Sequence, residues 1–285
     1  MTDFSFITYA GLPNLDPDDR LAAGALQARG YSVEPLVWDD ARVDWSRAGA
    51  CVLRSVWDYH LRHEAFVAWA ARVESVTSLW NPARLVRWNS DKRYLQELES
   101  AGIPIVETLW LKRGRQAFLG ELLRERGWDD AVVKPAIGLA TFGTRRVTAS
   151  RDRMPAAQDH LDGLLQSNDV MVQPYIASVE DYGERALVFI AGKFSHAVRK
   201  TAFQQLLPAG EAGESLVDAS RDEIRLAERV LRAIDGPALY ARVDLVRDGA
   251  GGPCLIELEL VEPSLFFGLH PPAVEAFVDA VILAA

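Results

Sequence analysis

Cysteine is scarce in this chain, and the signals that mark whole classes of protein are missing. Only two cysteines, Cys51 and Cys254, occur among the 285 residues, and each stands in an apolar segment. Buried thiols are therefore expected rather than a disulfide or a metal site. No run approaches the roughly 18 apolar residues of a membrane helix. The N-terminus has no basic stretch followed by an apolar core, as a secretory signal would. These absences predict a cytoplasmic protein that has no membrane partner.

Acidic residues outnumber basic ones, 40 to 31, and give a formal net charge of −9. Nucleic acid is therefore not expected as the main partner, because its binding relies on lysine and arginine against the phosphates. The apolar and charged fractions, 49% and 25%, are those of an ordinary globular protein. The length allows two or three small domains.

Hydrophobic patterning predicts an α/β fold in three parts. Residues 1–88 alternate strand, helix and strand, which predicts a parallel βαβ domain that would bind substrate. Residues 89–175 predict a linker helix and a small α+β unit. Residues 176–285 predict a second α+β unit, with a hairpin near its end. Within it, the stretch 204–220 has no periodicity, and we predict a loop there.

Two acids stand side by side on a strand-like segment near the end of the chain, "LIELELVEPS". Glu257 and Glu259 are two residues apart and therefore point to the same face of a strand. A hairpin turn centred at 250–251 would place Asp244 opposite Glu257. The same register would place Arg242 opposite Glu259. This face of the hairpin thus holds three acids and one arginine.

Acids this close need a bound cation or a solvated surface. Two unit charges about 4 Å apart repel by roughly 4 kcal/mol at an effective dielectric near 20. Because the ligands are all oxygen, a bound cation would be Mg²⁺ or Mn²⁺ rather than zinc. The alternative is a sheet with one solvated face, where alternating charges are routine.

Two lysines precede loops or helices where a phosphate could bind. Lys134 ends the apolar strand of "VVKP", and the loop after it contains Gly138. A lysine in a buried strand needs an anionic partner, although a solvated edge position is the alternative. Lys92 follows the predicted N-cap of a helix, at Asn89 or Ser90, where it could meet a phosphate or lie on the surface.

Taken in order, these pieces resemble the ATP-grasp superfamily, in particular its glutathione synthetase-like ligases. There, a strand ending in Lys-Pro leads into a glycine-containing loop over the phosphates, as in "VVKPAIGLATFG". A strand that ends at a Gln or Glu hinge holds adenine, as in "VMVQPYI". An Arg-x-Asp strand and a Glu-x-Glu strand bind magnesium, as in "ARVD" and "IELE". The likeness starts near residue 89 and includes two α+β subdomains that clasp ATP.

The resemblance implies a role for each matching residue. The implied contacts are Lys92, Lys134 and Gly138 to phosphate, Gln173, Tyr175 and Ile176 to adenine, Glu180 or Glu184 to ribose, and Asp244, Glu257 and Glu259 to two Mg²⁺ ions, with Mn²⁺ as an alternative. Arg242 matches an arginine that stabilises the tetrahedral intermediate in D-alanine–D-alanine ligase. Arg199 and Lys200 stand where relatives place basic residues towards an acyl phosphate.

A closer likeness covers the whole chain. The segments "LPNLDPDDR", "LRSVWDYH", "NPARLVRWNSDKRYL" and "LYARVDL…ELELVEPSL" are similar to those of bacterial proteins related to the D-cycloserine-forming ligase. This group implies that residues 1–88 form a pre-ATP-grasp domain. Two loops, 136–144 and 202–214, differ from the family pattern.

The N-terminal part should recognise the substrate, since open α/β sheets bind ligands at the carboxyl ends of strands. Asp16 could hold an amine there, or only favour a helix N-terminus. Arg54 could hold a carboxylate through two hydrogen bonds. The remaining substrate candidates are Trp57, Asp58 and Tyr59, for which packing is the alternative, and Ser264 beyond the acidic strand.

Three functions fit this sequence. The leading hypothesis is an ATP-dependent carboxylate–amine ligase that forms an acyl phosphate and then an amide or peptide-like bond, releasing ADP and phosphate. Its partners would be a small-molecule carboxylate and an amine, and a homodimer is expected by analogy. The second hypothesis is a kinase of a small hydroxyl compound on the same scaffold. The third is a nucleotide-binding protein without catalytic activity.

Overall fold

The computed structural model describes residues 2–139, 141–201 and 213–285, which form three β-sheets with helices packed against them. The α/β class predicted from the sequence is confirmed. No helix within these three ranges is both long enough and apolar enough to span a bilayer.

The first part of the chain is a parallel βαβ unit, as the patterning predicts. Its elements are β1 (Phe4–Thr8), α1 (Pro17–Ala28), β2 (Val33–Val37), β3 (Ala50–Ser55), α2 (His63–Glu74), β4 (Leu79–Trp80) and α3 (Ala83–Asn89). The strands lie in the order β2-β1-β3-β4. β1 is buried along its whole length, which explains its nearly continuous apolar sequence.

The second sheet is antiparallel and belongs to the middle of the chain. Its elements are α4 (Tyr94–Ser100), β5 (Leu109–Leu111), α5 (Leu119–Arg126), β6 (Asp130–Pro135), β7 (Arg145–Thr148), α6 (Met154–Leu165) and β8 (Val170–Pro174). The strands lie in the order β5-β8-β6-β7. α5 and α6 cover one face of this sheet, where Leu123 and Leu161 are fully buried.

The third sheet is also antiparallel and carries the predicted acids. Its elements are α7 (Ser178–Asp181), β9 (Glu184–Ile190), β10 (Lys193–Lys200), β11 (Glu214–Val217), α8 (Arg221–Arg232), β12 (Tyr240–Arg247), β13 (Pro253–Glu259) and α9 (Pro272–Ala284). The strands lie in the order β11-β10-β9-β12-β13, so β13 is at an edge.

The predicted register of the last hairpin is confirmed. Asp244 pairs with Glu257, and Arg242 pairs with Glu259. Beyond this pair the register shifts, because Leu245 pairs with Leu255 and Ile256 is the extra residue of a β-bulge. Ile256 consequently packs with a different apolar group from Leu258, although we predict the same face for both from simple alternation.

Two local predictions are wrong. Asn89 is the last residue of α3 rather than a helix N-cap, and Ser90 follows it; the next helix, α4, begins only at Tyr94. Lys92 therefore lies in the turn between two short helices. Part of the predicted loop at 204–220 is the strand β11, which pairs with β10. Residues 204–212 of the same stretch lie outside the described residues.

Helix α9 joins the first and third sheets in one core. Phe277 on α9 packs edge-on against Phe6 of β1 and also contacts Tyr240 of β12. The other face of the third sheet packs on α4 and α8, through residues such as Leu98 and Leu226. The last helix of the chain thus holds the N-terminal sheet against the strands that carry the acids.

The exposed edge of β13 is closed by side chains instead of another full strand. The Tyr94 hydroxyl accepts a hydrogen bond from the Leu258 amide (2.7 Å) and donates one to the Leu258 carbonyl (2.9 Å). Asn89 donates to the same carbonyl (2.8 Å) and accepts from the Leu260 amide (2.7 Å). These groups are buried, so without the two side chains their backbone polar atoms would have no partner.

We predict that Tyr94→Phe destabilises the protein by about 1–3 kcal/mol, because it leaves the buried Leu258 amide without its acceptor. Urea unfolding monitored by circular dichroism would measure the change. Tyr31→Phe is the matched control, since the Tyr31 hydroxyl has no hydrogen-bond partner in the described ranges and packs at the edge of Phe4. Equal midpoints for the two variants would contradict the role of Tyr94 at this edge.

Candidate active site

Charged side chains gather at one end of one face of the third sheet. They are Glu184 on β9, Lys200 on β10, Arg242 and Asp244 on β12, and Glu257 and Glu259 on β13. The pairings Lys200–Glu184 and Asp244–Glu257 place these strand positions side by side. The structure therefore brings together the three predicted metal ligands and two of the three predicted catalytic residues.

Basic residues separate the acids. The Nε of Arg242 lies 2.9 Å from Asp244 Oδ1, and the same guanidinium pairs with Glu259. Lys200 Nζ lies 2.7 Å from Asp244 Oδ2 and also pairs with Glu184. Asp244 is fully buried and Arg242 is 6% exposed, so a solvated sheet face is excluded.

The surroundings set different proton affinities for the acids. Burial opposes ionisation of Asp244, but Arg242 and Lys200 outweigh it and hold the pKa of this carboxyl well below its usual range. At Glu259 burial prevails over Arg242, and the pKa is raised. Asp244 is thus held in its anionic form, whereas Glu259 gains a proton more readily.

The donor set fits a hard cation, although the acids are not gathered around one point. Asp244, Glu257 and Glu259 offer only carboxylate oxygens, which Mg²⁺ prefers. Among the described residues, no three acidic, histidine or cysteine side chains stand close enough together to hold a metal ion. Each of the three acids instead faces a basic side chain, which an arriving cation would have to replace.

The two predicted phosphate lysines lie beside this cluster. Lys92 Nζ donates to the Gly138 carbonyl (2.6 Å) and lies 3.1 Å from Glu257 Oε1. Lys134 is 8% exposed, and no carboxylate in the described ranges forms an ion pair with it. Burial lowers the pKa of Lys134, and the nearby Glu257 only partly compensates. A buried cation that lacks a close partner is suited to an anionic ligand.

A cavity of about 190 Å³ opens next to Lys134, between the second and third sheets. Its lining residues include Lys92, Lys134, Gly138, Phe142, Gln173, Tyr175, Ile176, Glu184, Ile256 and Glu257. Gln173 is buried, and its amide nitrogen donates to Thr108 Oγ1 (2.9 Å). Its amide oxygen therefore points away from Thr108. One end of the cavity is thus apolar, and the other is charged.

Of the two predicted ribose ligands, only Glu184 lines this cavity. Glu180 is 60% exposed at its side chain and pairs with Arg146 (3.0 Å). It also accepts a hydrogen bond from the Tyr175 hydroxyl (2.9 Å). The Arg146 guanidinium lies over the Tyr175 ring. Glu180 therefore fixes the outer side of the hinge, and its prediction as a ribose ligand is not supported by this geometry.

The prediction for Arg199 is wrong. Arg199 and Lys200 are adjacent on β10, so their side chains leave opposite faces of the sheet. Lys200 joins the acids, whereas Arg199 donates to the carbonyls of Tyr182 (3.1 Å) and Asp181 (2.9 Å) on the other side. Arg199 therefore holds the turn before β9 and does not reach the site.

Arg54 is a structural residue, contrary to its prediction as a carboxylate ligand. It is 2% exposed and pairs with Asp19, Nε to Oδ1 at 2.7 Å. Its Nη2 donates to the Pro263 carbonyl (2.9 Å), and its guanidinium lies over the Tyr240 ring. The side chain is thus enclosed between the first sheet and the segment after β13.

The other substrate candidates also have protein partners. Asp16 caps α1 by accepting from the Asp18 amide (2.8 Å), which is the role of an acidic helix N-terminus. Asp58 accepts from Trp38 Nε1 (2.7 Å) and pairs with Arg62. Tyr59 stacks on Phe66 in the core.

Trp57 and Ser264 contact Glu262 and Arg242, respectively. Trp57 Nε1 donates to the Glu262 carbonyl (3.4 Å), and the Ser264 carbonyl accepts from Arg242 Nη1 (3.3 Å). Both contacts involve the segment that continues β13. Sequence reasoning assigns no role to Glu262, Thr108 or Ile256, although Glu262 belongs to the same acidic run as Glu257. The bulge that turns Ile256 into the cavity leaves no recognisable sequence signal.

Known proteins match this chain over its whole length. A sequence profile of the N-terminal domain of D-cycloserine synthetase DcsG matches residues 5–81. The cycloserine biosynthesis protein DcsG of Streptomyces lavendulae is 36% identical over 259 residues, which cover 85% of each chain. The crystal structure of D-cycloserine synthetase DcsG superposes with a TM-score of 0.89 at 33% identity and covers 99% of both chains.

More distant structures share the fold. D-alanine–D-alanine ligase from Bacillus anthracis superposes with a TM-score of 0.71 at 15% identity, over 100% of this chain and 97% of that one. The ATP-grasp ligase PsnB has a TM-score of 0.68 at 18% identity over the whole of both chains. The resemblance noted in the sequence is confirmed: the chain belongs to the family of D-cycloserine synthetase DcsG and shares the fold of ATP-grasp ligases.

Proposed function

We propose that this ATP-dependent ligase converts a small-molecule carboxylate into an acyl phosphate at the charged end of the cavity, and that an amine then displaces phosphate. The observation that carries the proposal is the position of Lys134. It is almost fully buried, has no ion-pair partner in the described ranges, and lies where the apolar cavity meets the acids. A triphosphate would be the anionic partner that this lysine lacks.

The cavity divides into parts that suit the parts of ATP. Ile176 and Ile256 form apolar walls for an adenine ring, and the Gln173 amide oxygen can accept a hydrogen bond from it. Glu184 would hold ribose hydroxyls, as an alternative to its ion pair with Lys200. Lys92 and Lys134 would contact the phosphates, with Gly138 beside them.

Asp244, Glu257 and Glu259 would hold magnesium, two ions by the family pattern, with Mn²⁺ as an alternative. Their donor atoms are all carboxylate oxygens, which supports this assignment. When bound, the metal would supply positive charge to the triphosphate during transfer. In the structure these carboxylates form ion pairs with Lys92, Lys200 and Arg242. A bound metal would release the three basic side chains towards the phosphates and the acyl group.

Arg242 would stabilise the oxyanion that forms when the amine attacks. Its Nη1 donates to the Ser264 carbonyl, a contact that would remain when the metal releases the guanidinium from Asp244 and Glu259. Donors placed where negative charge develops are usually the largest single contribution to catalysis. Lys200, whose pKa is raised by the acids around it, would remain charged beside the acyl phosphate.

The acceptor side is proposed from the relatives and from the first sheet. DcsG, matched above in sequence and in structure, is named for cycloserine synthesis, and we propose a substrate of similar small size here. We assign its recognition to residues 1–88, and nucleotide binding to residues 89–175 and 176–285. Trp57 is the N-terminal candidate that contacts the segment after β13. A cytoplasmic location and a homodimer complete the proposal.

We predict that a non-hydrolysable ATP analogue binds in a Mg²⁺-dependent manner, and that Glu257→Ala weakens this binding at least tenfold, since it removes a carboxylate shared by the metal and Lys92. Isothermal calorimetry with Mg²⁺ and then with chelator would measure the effect. Glu180→Ala is the control, because Glu180 lies outside the cavity, and it should bind like the wild type. Unchanged affinity in Glu257→Ala would remove Glu257 from the site.

We predict that Lys134→Met lowers affinity for the same analogue about ten- to a hundredfold, as expected for the loss of a charge-assisted contact to phosphate. Lys193→Met, at the exposed β9–β10 turn, makes the same change away from the cavity. Lys134→Met should also unfold at an equal or higher urea concentration, because it removes a buried charge without an ion-pair partner. Wild-type affinity in Lys134→Met would overturn the assignment of the phosphate site.

We predict that the enzyme forms a hydroxamate when ATP, Mg²⁺, a pool of small amino acids and hydroxylamine are present, because hydroxylamine intercepts an acyl phosphate. The hydroxamate–iron colour and ADP release would be measured together. A stable phosphorylated product without hydroxamate would instead establish the kinase alternative. ATP-analogue binding with neither ADP release nor hydroxamate would establish nucleotide binding without catalysis.

A further inference from the structure

Glu262 is a buried acid for which the proposed reaction has no use. It lies three residues beyond Glu259, where the chain leaves β13, and it is 7% exposed. Its backbone carbonyl accepts from Trp57, but its carboxyl group forms no hydrogen bond or ion pair with the residues in the described ranges. An acid desolvated in this way is costly to the fold unless a ligand completes it.

Nearby basic side chains are already engaged by other groups. Lys92 and Arg242 both lie within electrostatic reach of Glu262. Lys92 is held by Glu257 and the Gly138 carbonyl. Arg242 is held by Asp244 and by Glu259. The Glu262 carboxyl group therefore lacks a cation of its own, although it lies among charged residues.

Aromatic side chains form the other boundary. The Trp57 indole contacts the Glu262 backbone, and the buried Tyr59 lies close enough that Glu262 helps burial to raise the Tyr59 pKa. An organic ammonium group bound at Glu262 would thus have aromatic side chains among its neighbours.

The order along the chain places Glu262 on the acceptor side of the site. Ile256 and Glu257 line the cavity, Glu259 follows at Arg242, and Glu262 comes next, beside residues of the first sheet. An amine that approaches an acyl group near Arg242 from the side away from the nucleotide would pass this carboxylate.

We propose that Glu262 binds the protonated amine of the substrate, so selecting cationic acceptors over neutral ones, and accepts the proton that this group must lose before it attacks. The proposal rests on the ligase function proposed above and names the residue that recognises one of its two substrate groups. Burial and the neighbouring acids raise the pKa of Glu262 and so oppose its ionisation in an empty site. A bound ammonium group would favour the carboxylate and stabilise both charges.

A matched pair of small probes tests this proposal. D-Alanine and D-lactate have the same carbon skeleton and carboxylate but carry an ammonium and a hydroxyl group, respectively. Calorimetry with Mg²⁺ and ADP present would give the dissociation constants of both for the wild type, Glu262→Gln and Glu262→Asp. Glu99→Gln, on the exposed side of α4, makes the same chemical change away from the site.

We expect the wild type to bind D-alanine about ten- to a hundredfold more tightly than D-lactate, as a charge-assisted hydrogen bond would provide. This ratio should fall towards one in Glu262→Gln, recover in part in Glu262→Asp, and stay unchanged in Glu99→Gln. Glu262→Gln should also unfold at an equal or higher urea concentration and keep wild-type affinity for ADP with Mg²⁺.

Three outcomes would overturn the proposal. A ratio near one in the wild type, or one unchanged by Glu262→Gln, would mean that Glu262 does not recognise the ammonium group. Weaker Mg²⁺-dependent binding of ADP in Glu262→Gln would make Glu262 a metal ligand instead. A lower unfolding midpoint would make it a structural residue. Failure of the ligase function itself would show separately, as absent hydroxamate in the wild type.

Discussion

The site depends on holding several carboxylates within one buried patch without letting their repulsion open the sheet. Charges about 4 Å apart repel by roughly 4 kcal/mol even at an effective dielectric near 20. The fold answers this with basic residues placed between the acids, so that Arg242 and Lys200 both pair with Asp244. A buried ion pair adds little net stability, because desolvation offsets its attraction. The arrangement is therefore better explained by function than by stability: in the proposed site, each basic group would give up its position to a metal ion.

The same short segment that closes the edge of β13 also carries Lys92, which we propose as a phosphate ligand. Asn89 and Tyr94 satisfy the backbone of Leu258 and Leu260, and Lys92 lies between them in the chain, paired with Glu257. Because both flanking side chains are hydrogen-bonded to the strand, the position of Lys92 is fixed relative to the acids. An additional β-strand at this edge would satisfy the backbone equally well, but it would leave no route for a lysine to reach Glu257. The irregular turn between α3 and α4 thus places Lys92 next to Glu257. A longer helix with its N-cap at Asn89 would not.

Alternation along strands explains both the success and the main failure of prediction from sequence. It is sufficient to place Asp244 opposite Glu257, because the hairpin turn fixes the register. The same rule excludes Arg199 from any site that contains Lys200, since adjacent residues face opposite sides of a sheet. The prediction for Arg199 follows the family resemblance instead of this rule, and it is wrong. Arg54 shows a different limit. Its burial follows from Asp19 and from the chain after β13, which lies more than 200 residues away in sequence, and no local pattern reveals such a contact.

The three sheets are not joined equally, and this bears on how a nucleotide would be held. The first and third sheets share the core around Phe277 on α9, so the N-terminal sheet and the strands with the acids form one packed unit. The second sheet meets this unit through Met171 of β8, which belongs to the apolar cluster of the third sheet, and through the bridge of Ile105 to Leu255. Lys92 adds a further link, because its backbone and side chain donate to the carbonyls of Ala136 and Gly138. A ligand in the cavity would contact Lys134 on one side and Ile256 and Glu257 on the other. It would therefore add contacts between the two sheets and help to hold the glycine-containing loop against the acids.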